Sequence, residues 1–245
     1  MRGRIFAFAT IVYLLFVGLA SPGIAASIQI EPLLIGLTPQ APIASMVVRN
    51  TGATPLLMQA EVMAWSQSGG QDVFQPTRAI LANPPLFRVP PQGQQILRFG
   101  LRVPELASEQ SYRVFLQEVP SQENLSEGRV VTLLRISVPV FVPPASGAPE
   151  LGWNLSLSGK EVRVTVSNRG NVHAHILSLV AKRSNGASVS SEAVSVYVLA
   201  GQSRQWTLPL KEVVATGEQL DLTARTENGD VTAAVTVRAN EPGSP

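Results

Sequence analysis

His173 and His175 stand two positions apart in a stretch of alternating polarity, so on a strand both side chains leave the same face. Such a pair could supply two metal ligands or a general base. The 245-residue chain contains no cysteine, and no Asp or Glu stands close to the pair in sequence, so a third ligand would have to come from elsewhere in the fold. Ordinary strand histidines account for the pair more simply. The lack of cysteine also excludes disulfide scaffolds, cysteine zinc sites, iron–sulfur clusters and thiol nucleophiles. There is no Gly-x-Ser-x-Gly elbow, no His-Glu-x-x-His helix and no phosphate-binding glycine loop. The inventory points away from an enzyme, and no cofactor or metal is expected. What remains with directed chemistry is arginine, whose planar fork suits a carboxylate; Arg98, Arg113 and Arg135 fall on apolar, strand-like runs.

The segments that must position these side chains begin after residue 25. Arg2 and Arg4 precede an apolar run, residues 5–20, which is followed by Ser21-Pro22-Gly23-Ile24-Ala25-Ala26. A basic start, a hydrophobic middle and a small-x-small site form the pattern of a secretory signal cleaved about Ala25/Ala26. The run is shorter than the roughly 20 residues that span a bilayer. The whole chain carries 19 Lys+Arg against 17 Asp+Glu; without Arg2 and Arg4 the balance is 17 against 17. A neutral mature chain lacks the basic footprint of a nucleic-acid binder. No later stretch approaches membrane length, so the mature chain is expected to be exported without membrane insertion.

From Ser27 to about Val142, short runs rich in Val, Ile, Leu and aromatics are broken by Pro, Gly, Asn and Gln. This predicts strands over Ile28–Glu31, Ala44–Asn50, Leu56–Trp65, Ile96–Val103, Tyr112–Val119 and Val130–Val142. Within them Leu97, Phe99 and Leu101 share one face opposite Arg98, while Tyr112, Val114 and Leu116 oppose Arg113, Phe115 and Gln117. Residues 144–149, Pro-Ala-Ser-Gly-Ala-Pro, read as a linker. Beyond it the pattern resumes, predicting strands over Leu151–Leu157, Glu161–Asn168, Ala174–Lys182, Ser195–Leu199, Gln205–Leu208, Gln219–Arg225 and Val231–Arg238, with a polar tail over 240–245. No stretch shows sustained helical periodicity. The chain reads as all-β, two consecutive sandwich domains over about 26–143 and 150–239. Asn83-Pro84, in a tight turn, is a candidate cis peptide.

The run from Gly128 to Val142 is long and apolar on both faces, and Pro139 within it cannot donate to a ladder, which marks an edge or a bulge. One face can pack into its own sandwich; the other needs a cover. A central strand covered on both sides would satisfy this. So would an edge that accepts another chain's strand.

The wording of several segments resembles the periplasmic chaperones of chaperone–usher pilus assembly. These are Val47-Val48-Arg49-Asn50-Thr51-Gly52, Trp65 with the Gly-Gly-Gln-Asp turn after it, Asn83-Pro84-Pro85 through Pro91-Gln92-Gly93, Tyr112 to Pro120, Leu133 to Pro143, and Ser167 to His173. They occur in the family's order over roughly residues 27–240, and the wording is most similar to the archaic branch, whose products include spore-coat-like fibres. The resemblance implies two immunoglobulin-like domains set as an L. It implies that the chain lends its seventh strand to an unfinished pilus or spore-coat-like subunit and passes that subunit to an outer-membrane usher. If Val131 and Leu133 face the chain's own core, the lent side chains are Val130, Thr132, Leu134 and Ile136; a one-residue slip exchanges the two sets. Burying three large aliphatic side chains in a partner would stabilise a complex by roughly 5–9 kcal/mol before costs. The better-known branch holds the subunit's terminal carboxylate with an Arg on the first strand and a Lys on the seventh; Leu34 and Pro139 occupy those positions here. Arg113 is the first choice as a replacement anchor, with Arg98 and Arg135 as the others. The competing reading is a structural or adhesive sandwich protein built into a fibre or coat, and self-association of the free chain stays open.

Overall fold

The computed structural model describes residues 28–104, 107–120, 132–158 and 161–239, so the leader expected over residues 1–25 and the tail expected over residues 240–245 lie outside the described residues. No helix occurs among the described residues. The first domain is a sandwich of two sheets. One holds β1 (Ile28–Glu31), β3 (Ile43–Asn50), β6 (Ile80–Asn83) and β8 (Gln94–Leu101) in the order β1-β3-β8-β6. The other holds β2 (Ile35–Gly36), β4 (Leu56–Ser68), β5 (Gln71–Pro76), β9 (Gln110–Glu118) and β10 (Arg135–Val142) in the order β2-β10-β9-β4-β5, with β7 (Leu86–Val89) also paired to β4. Alternation builds the core between them. Met46 and Val48 on β3, Leu97 and Phe99 on β8, Met58 on β4, and Val114 and Leu116 on β9 are each fully buried, as the two-residue period requires.

The second domain wraps a seven-stranded sheet, β14-β13-β16-β17-β11-β12-β15, around a separate core centred on Val164, Ile176 and Leu179. Its strands are β11 (Leu151–Ser158), β12 (Glu161–Asn168), β13 (Ala174–Lys182), β14 (Ser188–Val198), β15 (Ser203–Pro209), β16 (Gln219–Thr226) and β17 (Gly229–Arg238).

Both domains brace a strand end in the same way. Asn50 donates from Nδ2 to Thr54 O (2.7 Å) and Val89 O (3.3 Å), and its Oδ1 accepts from Gly52 N (2.9 Å). Asn168 donates to Val172 O (2.7 Å) and Val198 O (3.1 Å) and accepts from Gly170 N (3.0 Å) and Glu150 N (2.9 Å). Each amide satisfies backbone groups that the strand ladder leaves over. Gly170 must stay a glycine, because a Cβ there would lie 2.1 Å from Ala148 O and 2.7 Å from Glu150 N. Asn83-Pro84 is cis, as its turn position predicts, and so is Glu31-Pro32.

The domains meet over a third apolar cluster. Even-numbered residues of β4 and β10 face the first core, whereas odd-numbered Trp65 and Phe141 are buried with Leu199 and against Tyr197 of the second domain. Here the structure explains why the sequence around β10 is apolar on both faces: at Phe141 the second cover is the neighbouring domain. Gln67, also buried, reads the backbone of the second domain: its Nε2 donates to Tyr197 O (2.8 Å) and its Oε1 accepts from Leu199 N (3.1 Å). The β4–β5 hairpin turns on Gly69 and Gly70, both at positive φ (57° and 74°), which suits glycine. Gly70 O then accepts from Gln205 N at 3.3 Å.

Candidate functional site

The edge of β10 is the first element of the site. β9 pairs with β10 along its whole length, Arg135 opposite Gln117 through Val142 opposite Gln110. On the other side only Val140 and Phe141 are paired, to Ile35 and Gly36 of β2. Among the described residues nothing pairs with Arg135–Pro139 on that side. Glu118 N donates to Leu134 O (2.8 Å), so even-numbered residues turn their backbone groups towards β9; Leu37 N donates to Phe141 O (3.0 Å), so odd-numbered residues turn theirs outward. The open edge therefore offers N–H and C=O of Arg135 and Ser137 and the C=O of Pro139. Pro139 sits where its missing N–H faces away from the ladder, the edge position its ring predicts.

The side chains follow the same two-residue period. Val138, Val140 and Val142 are buried in the first core, and Ile136 packs on the margin of that core. Leu134 is half-buried and Thr132 exposed, so the core-facing row runs out of its own sandwich towards the N-terminal end. Val130 and Val131 lie outside the described residues. Leu133 does not point into the core; it is 39% exposed and belongs to the odd row with Arg135 and Ser137. The core-facing row is thus the even one, because Val138 to Val142 fix its phase.

The three arginines part company. Arg98, on β8, is exposed on the four-stranded sheet, opposite Ser45 and Asn83, and is not brought to the β9–β10 surface. Arg135 is exposed with its Cζ 4.4 Å from the Phe115 ring centroid. Arg113 lies opposite Pro139 in the β9–β10 ladder. Its Cζ is 3.8 Å from the Trp65 centroid and 5.3 Å from that of Tyr197. Its Nε is buried without a hydrogen-bond partner, and no carboxylate among the described residues reaches ion-pair distance. Burial pushes the Arg113 pKa below its ordinary value, with Tyr197 and Asp72 opposing and Arg204 assisting. Leu34 is 43% exposed and Pro139 buried, so neither supplies a cation.

Neighbouring residues hold this arrangement. Trp65 Nε1 donates to Asp72 Oδ1 (3.0 Å), which also accepts from Gln67 Nε2 (3.1 Å), while Asp72 Oδ2 pairs with Arg204 (3.2 Å). The histidines are tied into the same interface. His173 precedes β13, stacks on Phe141 with centroids 3.6 Å apart, and sets Nδ1 2.8 Å from Glu109 Oε1; its Nε2 lies 3.3 Å from Glu227 Oε1, at ion-pair distance but without hydrogen-bond geometry. His175 stacks on Tyr197 at 3.9 Å and meets Ser195 Oγ at 3.0 Å. Burial lowers the His175 pKa, helped by His173 and Arg113 and opposed by Glu227. Sequence reading missed Glu109, Asp72, Gln67 and Tyr197. The one available signal was Gln67, a polar residue two positions after Trp65 and therefore on the same face of the strand.

An all-β chain of two sandwiches, with a strand edge left open and a cation left unpaired among the described residues, belongs to the class of two-domain immunoglobulin-like proteins. Residues 27–148 match the family described as pili and flagellar-assembly chaperone, PapD N-terminal domain, and the chain belongs to that family. The fold is shared with solved structures. One is the CsuC–CsuE chaperone–tip subunit pre-assembly complex from archaic chaperone–usher Csu pili of Acinetobacter baumannii (20% identity, 88% of this chain and 100% of that chain, TM-score 0.63). Others are the Salmonella enterica SafA pilin–SafB chaperone complex (18%, 88% and 98%, TM-score 0.58) and the E. coli chaperone DraB (19%, 85% and 98%, TM-score 0.55). No curated protein sequence matches the chain.

Proposed function

We propose that this chain acts in the periplasm, where it holds an exported pilus subunit by lending it the open edge of β10 and then delivers it to an outer-membrane usher. Residues 1–25 are the leader removed on export, residues 26–143 the strand-lending domain, residues 144–149 the linker and residues 150–239 the second domain. The observation that carries the reading is the Arg135–Pro139 edge, unpaired among the described residues, whose core-facing row continues outward through Ile136, Leu134 and Thr132. A strand added to this edge extends the β10 sheet, so the partner's open core lies on the same side as the chain's own core. The even row, continued to Val130, then fills it. Arg113, opposite Pro139, is the cation for the subunit's terminal carboxylate, with Arg135 at the other end of the edge.

The test is co-expression with a candidate pilin and recovery of a soluble one-to-one complex. Leu134→Arg removes a buried aliphatic contact of about 1.5–3 kcal/mol and adds a charge to the groove, so complex should be lost while the free chain folds normally. Unchanged recovery would overturn the donor-strand reading, and finding the chain in the finished fibre would replace it with a structural role.

A further inference from the structure

Arg113 belongs to the first domain, yet one of the two rings that flank it belongs to the second. Trp65 and Tyr197 lie 3.8 Å and 5.3 Å from its Cζ, and the two rings are themselves 5.5 Å apart, edge to face. Tyr197 is set in place from both sides: its ring stacks on His175, and its carbonyl accepts from Gln67 of the first domain. A guanidinium held against aromatic faces keeps its charge in a partly dry setting but leaves in-plane donors to be satisfied. Among the described residues the Arg113 Nε has no partner and no carboxylate pairs with the head, so its in-plane donors are available to an anion.

We propose that Tyr197 is a positioning residue that completes the Arg113 carboxylate site across the domain boundary, so that carboxylate capture and domain docking reinforce each other. This rests on the reading of Arg113 as the subunit anchor but extends it to the second domain, which would otherwise be a passive appendage. By linkage, a carboxylate that binds only the docked arrangement stabilises that arrangement, and loosening the interface weakens the carboxylate.

The test uses the free mature chain, without a pilin, and is therefore independent of strand lending. The Arg113 Nε–Hε NMR signal is followed while N-acetylalanine, or its primary amide as a control, is titrated in. The acid should shift the signal saturably and the amide should not, and the Tyr197 ring signals should move on the same isotherm. Tyr197→Phe keeps the ring and should bind like the wild type. Tyr197→Leu should bind about threefold to tenfold more weakly with the fold intact, the scale of one lost cation–π contact and its preorganisation. No saturable shift in the wild type would overturn the site. Unaltered affinity in Tyr197→Leu, or Tyr197 signals that do not follow the titration, would overturn the cross-domain role. Either result leaves the co-expression test of β10 standing on its own.

Discussion

Gln67→Leu is the sharpest test of how the two domains are joined. The amide is buried at 9% exposure and satisfies Tyr197 O at 2.8 Å and Leu199 N at 3.1 Å, both on the other domain. Leucine fills a similar volume and can do neither. Each buried backbone group left without a partner costs about 1–3 kcal/mol. The Asp72 carboxylate also loses a donor at 3.1 Å, although Trp65 and Arg204 still hold it. Greater burial of apolar surface by leucine returns part of this, so the net loss for a closed interface is about 2–4 kcal/mol. The interface has a cheaper escape, since undocking lets water reach both orphaned groups. The two cores are separate clusters, so each domain can persist after undocking. The expected outcome is a lower midpoint in urea unfolding and a larger radius of gyration by small-angle scattering, with far-UV circular dichroism unchanged. If stability stays within about 0.5 kcal/mol of wild type and the scattering curve is identical, the polar tie is dispensable and the reasoning fails.

Gly170→Ala should destabilise by about 1–3 kcal/mol, because its Cβ would lie 2.1 Å from the backbone oxygen of Ala148 and the linker would have to shift; a midpoint equal to wild type in thermal unfolding would show that the linker yields freely. Burial depresses the His175 pKa, so the unfolded chain takes up this proton first as pH falls through about 6.5. The contribution is therefore fully present above that value and is lost towards the lower folded-state pKa. His175→Phe keeps a ring on Tyr197 and removes the titration, so wild type should lose more stability than the variant between about pH 7 and about pH 5. Parallel urea midpoints across that range would refute the assignment.

Much of the fold is legible because alternation is strong where a strand faces one core. Ile28–Glu31, Glu161–Asn168 and Ala174–Lys182 have the same bounds in sequence and structure. Sequence pattern does not show β2, β5, β6 and β7, short strands near Pro32, Pro76, Pro84, Pro85 and Pro90 with too few residues to display a period. It also starts β14 at Ser195 rather than Ser188, because the run opens with serines, although Val189 and Ser190 are buried. In the site, alternation put Arg113 opposite the core-facing set but could not assign Arg98 to the other sheet, since strand pairing is not encoded in any single strand. Glu109 stayed invisible because its partner His173 stands 64 residues further along, and only the docking of two domains joins them. The apolar second face of β10 was read as a single surface awaiting one cover. It has two fates: Phe141 goes to the neighbouring domain, and Leu133, ahead of Arg135, is left exposed.

Pro139 gives the open edge a measured length. A visiting strand can exchange hydrogen bonds with Arg135 and Ser137, but at Pro139 it meets an acceptor and no donor, and beyond that Ile35 and Gly36 already occupy the berth. The ladder therefore has a terminus, like a buffer at the end of a track. Arg113 stands at that same level. If the edge is lent as proposed, subunits of different sequence would all come to rest at one mark, and their last residue, whatever its side chain, would be gauged by position alone.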